Sequence, residues 1–230
     1  MTDIRGYVQQ QSPGIATDGA FAAVRMTREN AILTTDLPLA WLREGRVFQT
    51  HNPTIGTALT GSAAAAGGHV LTAPTIRMTV PSGYVFVPLF FKATFSAMAG
   101  TPNEMAIVAS DTDTYTSGGT SVTLAAYNEF IATSPPKTSV AANLRAGSGS
   151  ALVEAALVNP RVIDLQYFAR ADAVSEPKAD WVYSAKQQGI YEHINGPASI
   201  LIYMSAVTTA LAYEFVLKWA ELDKNVLVNS

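Results

Sequence analysis

Between Leu211 and Trp219 the large apolar side chains fall on every second residue: Leu211, Tyr213, Phe215, Leu217 and Trp219, with Ala212, Glu214, Val216 and Lys218 between them. Side chains on a strand alternate between its two faces, so this spacing gathers five large groups on one surface and leaves smaller or charged ones on the other. A chain with such a stripe must bury it against a second apolar surface. Ile200, Leu201, Ile202, Tyr203 and Met204 form another apolar run just upstream, rich in β-branched and aromatic residues. Ser205 to Ala210 links the two without a helix-stop signal, and we read residues 199–222 as a closing β-hairpin. Leu211, Phe215, Lys218 and Leu222 also fit a helical repeat; the aromatic content and the Gly196-Pro197 breaker favour strand.

The same reading extends upstream. Leu37 to Leu42 reads as a short helix or turn anchored by Trp41, and Arg46–Gln49 as a first strand. Ile76, Met78 and Val80 alternate with Thr75, Arg77 and Thr79, and Pro81-Ser82-Gly83 turns the chain. Tyr84 to Phe91 is almost continuously apolar, which predicts a strand covered on both faces, one by the core and the other by an N-terminal arm or a partner subunit. Pro88 within it marks a bulge or an edge. Residues 104–110, 121–124, 163–167 and 181–183 read as further strands, and Ala151–Leu157 as a short helix. The count is roughly eight short strands with turns between them, which predicts an all-β antiparallel sandwich or barrel over residues 37–230. Residues 1–36 carry no sustained period and read as an extended arm that packs on its own body or on a neighbour.

Only 14% of residues are charged while 48% are hydrophobic. A surface so poor in charge suits a chain that buries area against neighbours, because interface cores are depleted of charged residues. The net charge of −3 argues against a protein that coats nucleic acid. With no cysteine, a disulfide framework and thiolate metal sites are excluded. The opening residues lack the basic and apolar regions of a secretory signal, and the run ending at Phe91 is far short of a membrane span. A soluble chain made inside the cell is expected.

No motif carries catalysis. His51, His69 and His193 stand alone, without a second ligand at metal spacing. Asp111 and Asp113 have the spacing of a calcium loop, yet Thr116 and Val122 replace the glycine and glutamate such a loop needs. Asp172 and Glu176 lie in a polar stretch and read as solvated. The Ala63–Gly68 segment lacks the Lys-Ser/Thr of a phosphate cradle. A glycosidase carboxylate pair assembled from distant residues stays open at this level. Tyr84, Tyr127, Tyr191, Trp41, Trp181 and Trp219 could offer a sugar-stacking platform, but core or interface explains them better. No catalytic, cofactor or metal residue is assigned, and no cofactor is expected.

With its loops rich in Gly, Ser, Thr and Pro, low charge, absence of cysteine and close on Phe215-Val216-Leu217-Lys218-Trp219-Ala220-Glu221-Leu222, the chain resembles the single jelly-roll structural proteins of icosahedral viruses and bacteriophages. The resemblance spans residues 40–222. It implies a jelly-roll sandwich with an N-terminal arm, and a self-assembling capsid shell subunit of the virion, without enzymatic activity. Its partners would be copies of itself, through the arm and the sandwich faces, and other capsid proteins. Arg5, Arg25 and Arg28 in the arm are outnumbered by Asp3, Asp18, Glu29 and Asp36, so no direct contact with nucleic acid is expected. A shell over an internal membrane, or one loaded by a motor, fits better; the chain itself is not expected to be transmembrane. The alternative is a carbohydrate- or receptor-binding sandwich of a viral spike or fibre. A jelly-roll enzyme of the cupin kind would need clustered histidine ligands.

Overall fold

The computed structural model describes residues 36–52, 54, 56–60, 62–63, 70–97, 103–119, 127–128, 145–146, 152–168, 180–206 and 212–224. The expected arm therefore lies outside the described residues apart from Asp36, as do the expected strand 121–124, His69 and the Asp172/Glu176 pair.

A short helix α1 (Leu37–Arg43) comes first, with Pro38 in its opening turn, where a missing N–H leaves no helical bond unmade. There follow β1 (Val47–His51), β2 (Leu59–Thr60), β3 (Ser62–Ala63), β4 (Ile76–Val80), β5 (Tyr84–Ala97), β6 (Asn103–Ser110), β7 (Tyr115–Ser117) and β8 (Tyr127–Asn128). The remainder are β9 (Arg145–Ala146), β10 (Val153–Glu154), β11 (Arg161–Phe168), β12 (Asp180–Ser184), one-turn helix α2 (Ala185–Gln188), β13 (Ile194–Asn195), β14 (Ala198–Ala206) and β15 (Ala212–Asp223). The architecture is an all-β, mainly antiparallel sandwich. One sheet has seven strands, ordered β12-β5-β15-β1-β8 with β13 beside β5 and β2 beside β15; the other has six, ordered β11-β6-β14-β4-β9 with β3 beside β14. A β7–β10 ribbon stands apart. Fifteen strands are thus described where about eight were expected, the surplus being strands of two or three residues. Among the strands of five residues or more, each step along the chain changes sheet except that from β6 to β11, which are neighbours.

Between the sheets lies one core. Tyr213, Phe215, Leu217 and Trp219 all point into it, as their alternation requires, against Ile76, Met78, Met105, Ile107, Ile200 and Ile202 of the opposite sheet. Trp219 stacks between Phe48 (6.1 Å) and Phe86 (5.9 Å), and Trp181 meets Phe91 edge to face at 4.8 Å.

Three expectations need correction. Strands β14 and β15 do not form a hairpin: β14 pairs with β4 and β6 in the six-stranded sheet, and β15 with β1 and β5 in the seven-stranded one. On the second face of β5, Val85 and Val87 cluster with Trp41 of α1 and with Val47, Ala220 and Leu222 of the same sheet. Residues 153–154 are strand, not helix, because Glu154 is drawn down onto the six-stranded sheet by Arg77. Residues 59–60 and 62–63, where no strand was expected, form the short strands β2 and β3. Pro88 does sit at a bulge: β15 pairs Lys218 with Phe90 and Trp219 with Pro88, skipping Leu89. On its other side β5 changes partner there, from β12 at Phe90 to β13 at Phe86, so the missing N–H breaks no ladder.

Candidate functional site

The outer face of the seven-stranded sheet is built from the residues between the core positions. Lys92, Val216 and His51 form a row across β5, β15 and β1; Thr94 and Glu214 lie one pleat along, and Gln49 one pleat the other way. With Asn52 and Phe215 they line a cleft of about 460 Å³. Asn52 fixes the rim where β1 ends. Its Nδ2 donates to the carbonyls of Thr57 (3.1 Å) and Tyr213 (3.4 Å), while its Oδ1 accepts from the Phe215 amide at 2.9 Å. His51 Nδ1 donates to the Asn52 carbonyl at 2.6 Å. Lys92 Nζ reaches Asp180 Oδ2 at 2.8 Å and Thr94 Oγ1 donates to Asp180 Oδ1 at 2.9 Å. Those hydrogen bonds, Lys92's first, hold the Asp180 carboxyl below its ordinary pKa.

A second polar constellation lies on the outer face of the six-stranded sheet. Arg77 of β4, 1% exposed, places Nε 2.8 Å from Glu154 Oε1 and Nη2 2.7 Å from Asp113 Oδ1. Nη2 also donates to Thr79 Oγ1 at 2.9 Å, and Thr114 Oγ1 donates to Glu154 Oε2 at 2.8 Å. Thr79 Oγ1 donates to Asp113 Oδ2 at 3.2 Å, and the Thr114 amide to Ser199 Oγ at 3.1 Å. The Tyr115 ring lies between the Arg77 and Arg145 guanidiniums, 4.6 and 5.0 Å from its centroid. Burial raises the Glu154 pKa, and the Arg77 charge only partly opposes it. Chemically this is a closed clamp that fastens the 113–115 and 153–154 segments to the sheet.

These two constellations sort the residues singled out from sequence. His51 joins the cleft. His193 is exposed, with its ring 6.5 Å from that of Trp41. Asp111 and Asp113 are both exposed, and Asp113 is engaged by Arg77 and Thr79. Among the described residues no group of three His, Cys, Asp or Glu could hold a metal ion. All three tryptophans are buried and Tyr84 and Tyr191 half-buried, while the side chain of Tyr127 lies outside the described residues. Sequence reasoning missed Gln49, Lys92 and Glu214, whose only signal is a polar residue at the outward position of three strands far apart in the chain. It also missed the burial of Arg77 and Glu154. The buried hydroxyls of Thr50, Tyr183 and Tyr213 find no partner among the described residues. Burial, with Glu192 and Asp164 adding to it, pushes the Tyr183 pKa up to about 12.

No family model, curated protein or solved structure matches the chain. The class is therefore set by the fold: an all-β antiparallel sandwich. Among the described residues no helix is long and apolar enough to cross a membrane.

Proposed function

We propose that the chain is a structural subunit that assembles with copies of itself: a virion shell protein on a jelly-roll sandwich, located in the virion, with no catalytic role and no direct contact with nucleic acid. The observation that carries this reading is the edge strand β11. It pairs only with β6 among the described strands, and Val162, Leu165 and Tyr167 on it are 61%, 63% and 55% exposed. Val158 beside them is 43% exposed. Edge strands in free monomers are normally blunted by charge or proline, because open N–H and C=O groups template pairing with another chain. An apolar edge of this kind fits a neighbouring subunit. The bulge between Val162 and Asp164 is what turns Leu165 and Tyr167 outward, where an unbroken alternation from Ile163 would have sent them inward. The jelly-roll form is supported by the strand order, in which successive long strands cross between sheets and only β6 and β11 remain side by side. The charge-poor composition points the same way.

Sedimentation of the purified chain, with electron microscopy of the same sample, tests the reading. Discrete large assemblies are expected, and Leu165→Asp with Tyr167→Asp should leave a monomer of unchanged melting temperature. A wild-type chain that stays monomeric at every concentration overturns the proposal.

A further inference from the structure

The cleft on the opposite face is independent of the shell reading, since a subunit in a shell and a free sandwich would both carry it. We propose that it is a binding site for a neutral saccharide, one ring of which lies flat on Val216. A pyranose presents an apolar face of C–H bonds and a girdle of hydroxyls roughly in the plane of its ring. The cleft has the matching layout. Val216 is an apolar floor with Lys92 on one flank and His51 on the other, Glu214 at one end, and Lys218 with Gln49 beside it at the other. Hydroxyls both donate and accept, and the rim supplies both: the Lys92 ammonium donates, the Glu214 carboxylate accepts and the Gln49 amide does either.

Charge selects among polar ligands. Lys92 is already paired with Asp180 at 2.8 Å, and Glu214, which forms no ion pair among the described residues, stands one pleat away. Lys218 follows Val216 on the same face, so two lysines, Lys92 and Lys218, meet two carboxylates, Asp180 and Glu214; the face is balanced in charge, and an uncharged polyol is favoured over an anion. The volume, about 460 Å³, lies within the range of about 300–1,000 Å³ common for small-molecule sites. The rim is also held in place before a ligand arrives. Asn52, 3% exposed, ties the end of β1 to Thr57 and to β15 through three hydrogen bonds, which lowers the ordering cost of binding.

The test is titration of the full chain, by calorimetry and by amide chemical shifts, with methyl glycosides of the neutral hexoses and N-acetylhexosamines, and with inorganic phosphate as the charged probe. A neutral glycoside is expected to bind and to shift amides of residues 49–52, 92–94 and 214–216. Glu214→Gln, nearly isosteric, should weaken it about tenfold or more. Val216→Glu should abolish binding, with a melting curve confirming the fold, and Leu165→Ser on the far face should leave affinity unchanged. No binding by any glycoside, preference for phosphate, or full affinity in both Glu214→Gln and Val216→Glu each overturns the proposal. Sedimentation of the same samples reports assembly separately, so this inference and the shell reading fail independently.

Discussion

Arg77 and Glu154 approach to 2.8 Å on the outer face of the six-stranded sheet, and Lys92 and Asp180 approach to 2.8 Å on the outer face of the seven-stranded sheet. The distances match and the surroundings do not. The first pair has side chains 1% and 0% exposed, roofed by the 113–115 and 153–154 segments; the second has 41% and 43% exposed, open to solvent. In water such a contact is worth little, because both ions are well solvated when apart. Under a roof neither ion can recover its hydration, so each becomes a liability once its partner is gone. The lesson is that one sheet face has been closed by folding the chain back across it, while at Lys92 and Asp180 the other stays open among the described residues.

Three measurements press on that contrast. The largest effect is expected from Arg77→Met, which leaves Glu154 buried without its counter-ion and should cost about 3–5 kcal/mol in denaturant unfolding. Adding Glu154→Leu to that variant should recover much of the loss. A double variant no more stable than Arg77→Met alone would mean that the cluster is held by something other than ion pairing.

The second effect is pH-dependent. Glu154 has a folded-state pKa raised above its ordinary 4.5, so its contribution to stability is fully present below 4.5 and is lost as pH rises through the raised value. Removing Arg77 raises the value further, so the deficit of Arg77→Met should shrink on acidification and grow as pH rises through the raised value. Asp180 runs the other way: its pKa is lowered from 3.8, so its contribution is present above 3.8 and is lost as pH falls through the lowered value. Melting curves from acid to neutral pH separate the two, the Glu154 component vanishing in Glu154→Gln. The smallest effect is expected for Lys92→Ala, about 1 kcal/mol or less and weakened by salt. A loss as large as that of Arg77→Met would show the open face to be covered after all.

Alternation along a strand reports which way a side chain points, and this much could be read without coordinates. Tyr213, Phe215, Leu217 and Trp219 face the core because period two leaves no other arrangement. Alternation does not report which strand lies alongside. A hairpin and a crossing between sheets share the same pattern and the same short link, so the pairing of β14 and β15 could not be told from residues 199–222 alone. The same ambiguity hid Arg77, which alternates as a solvated residue would. Its burial depends on residues 113 and 154, brought over it from far along the chain. The cleft escaped for a related reason, since Gln49, Lys92 and Glu214 become neighbours only when three strands are in register.

The crossing from β14 to β15 also bears on how the molecule comes off the ribosome. β14 occupies the slot between β6 and β4, and β15 the slot between β5 and β1, so both sheets receive a middle strand from residues 198–223. Until that stretch clears the exit tunnel, the nascent polypeptide holds two half-sheets, each with a central vacancy lined by sticky edges. A chain stalled before Ala198 therefore leaves β6 and β4, and β5 and β1, without the strand that joins them, and open edges of that kind template pairing with other chains.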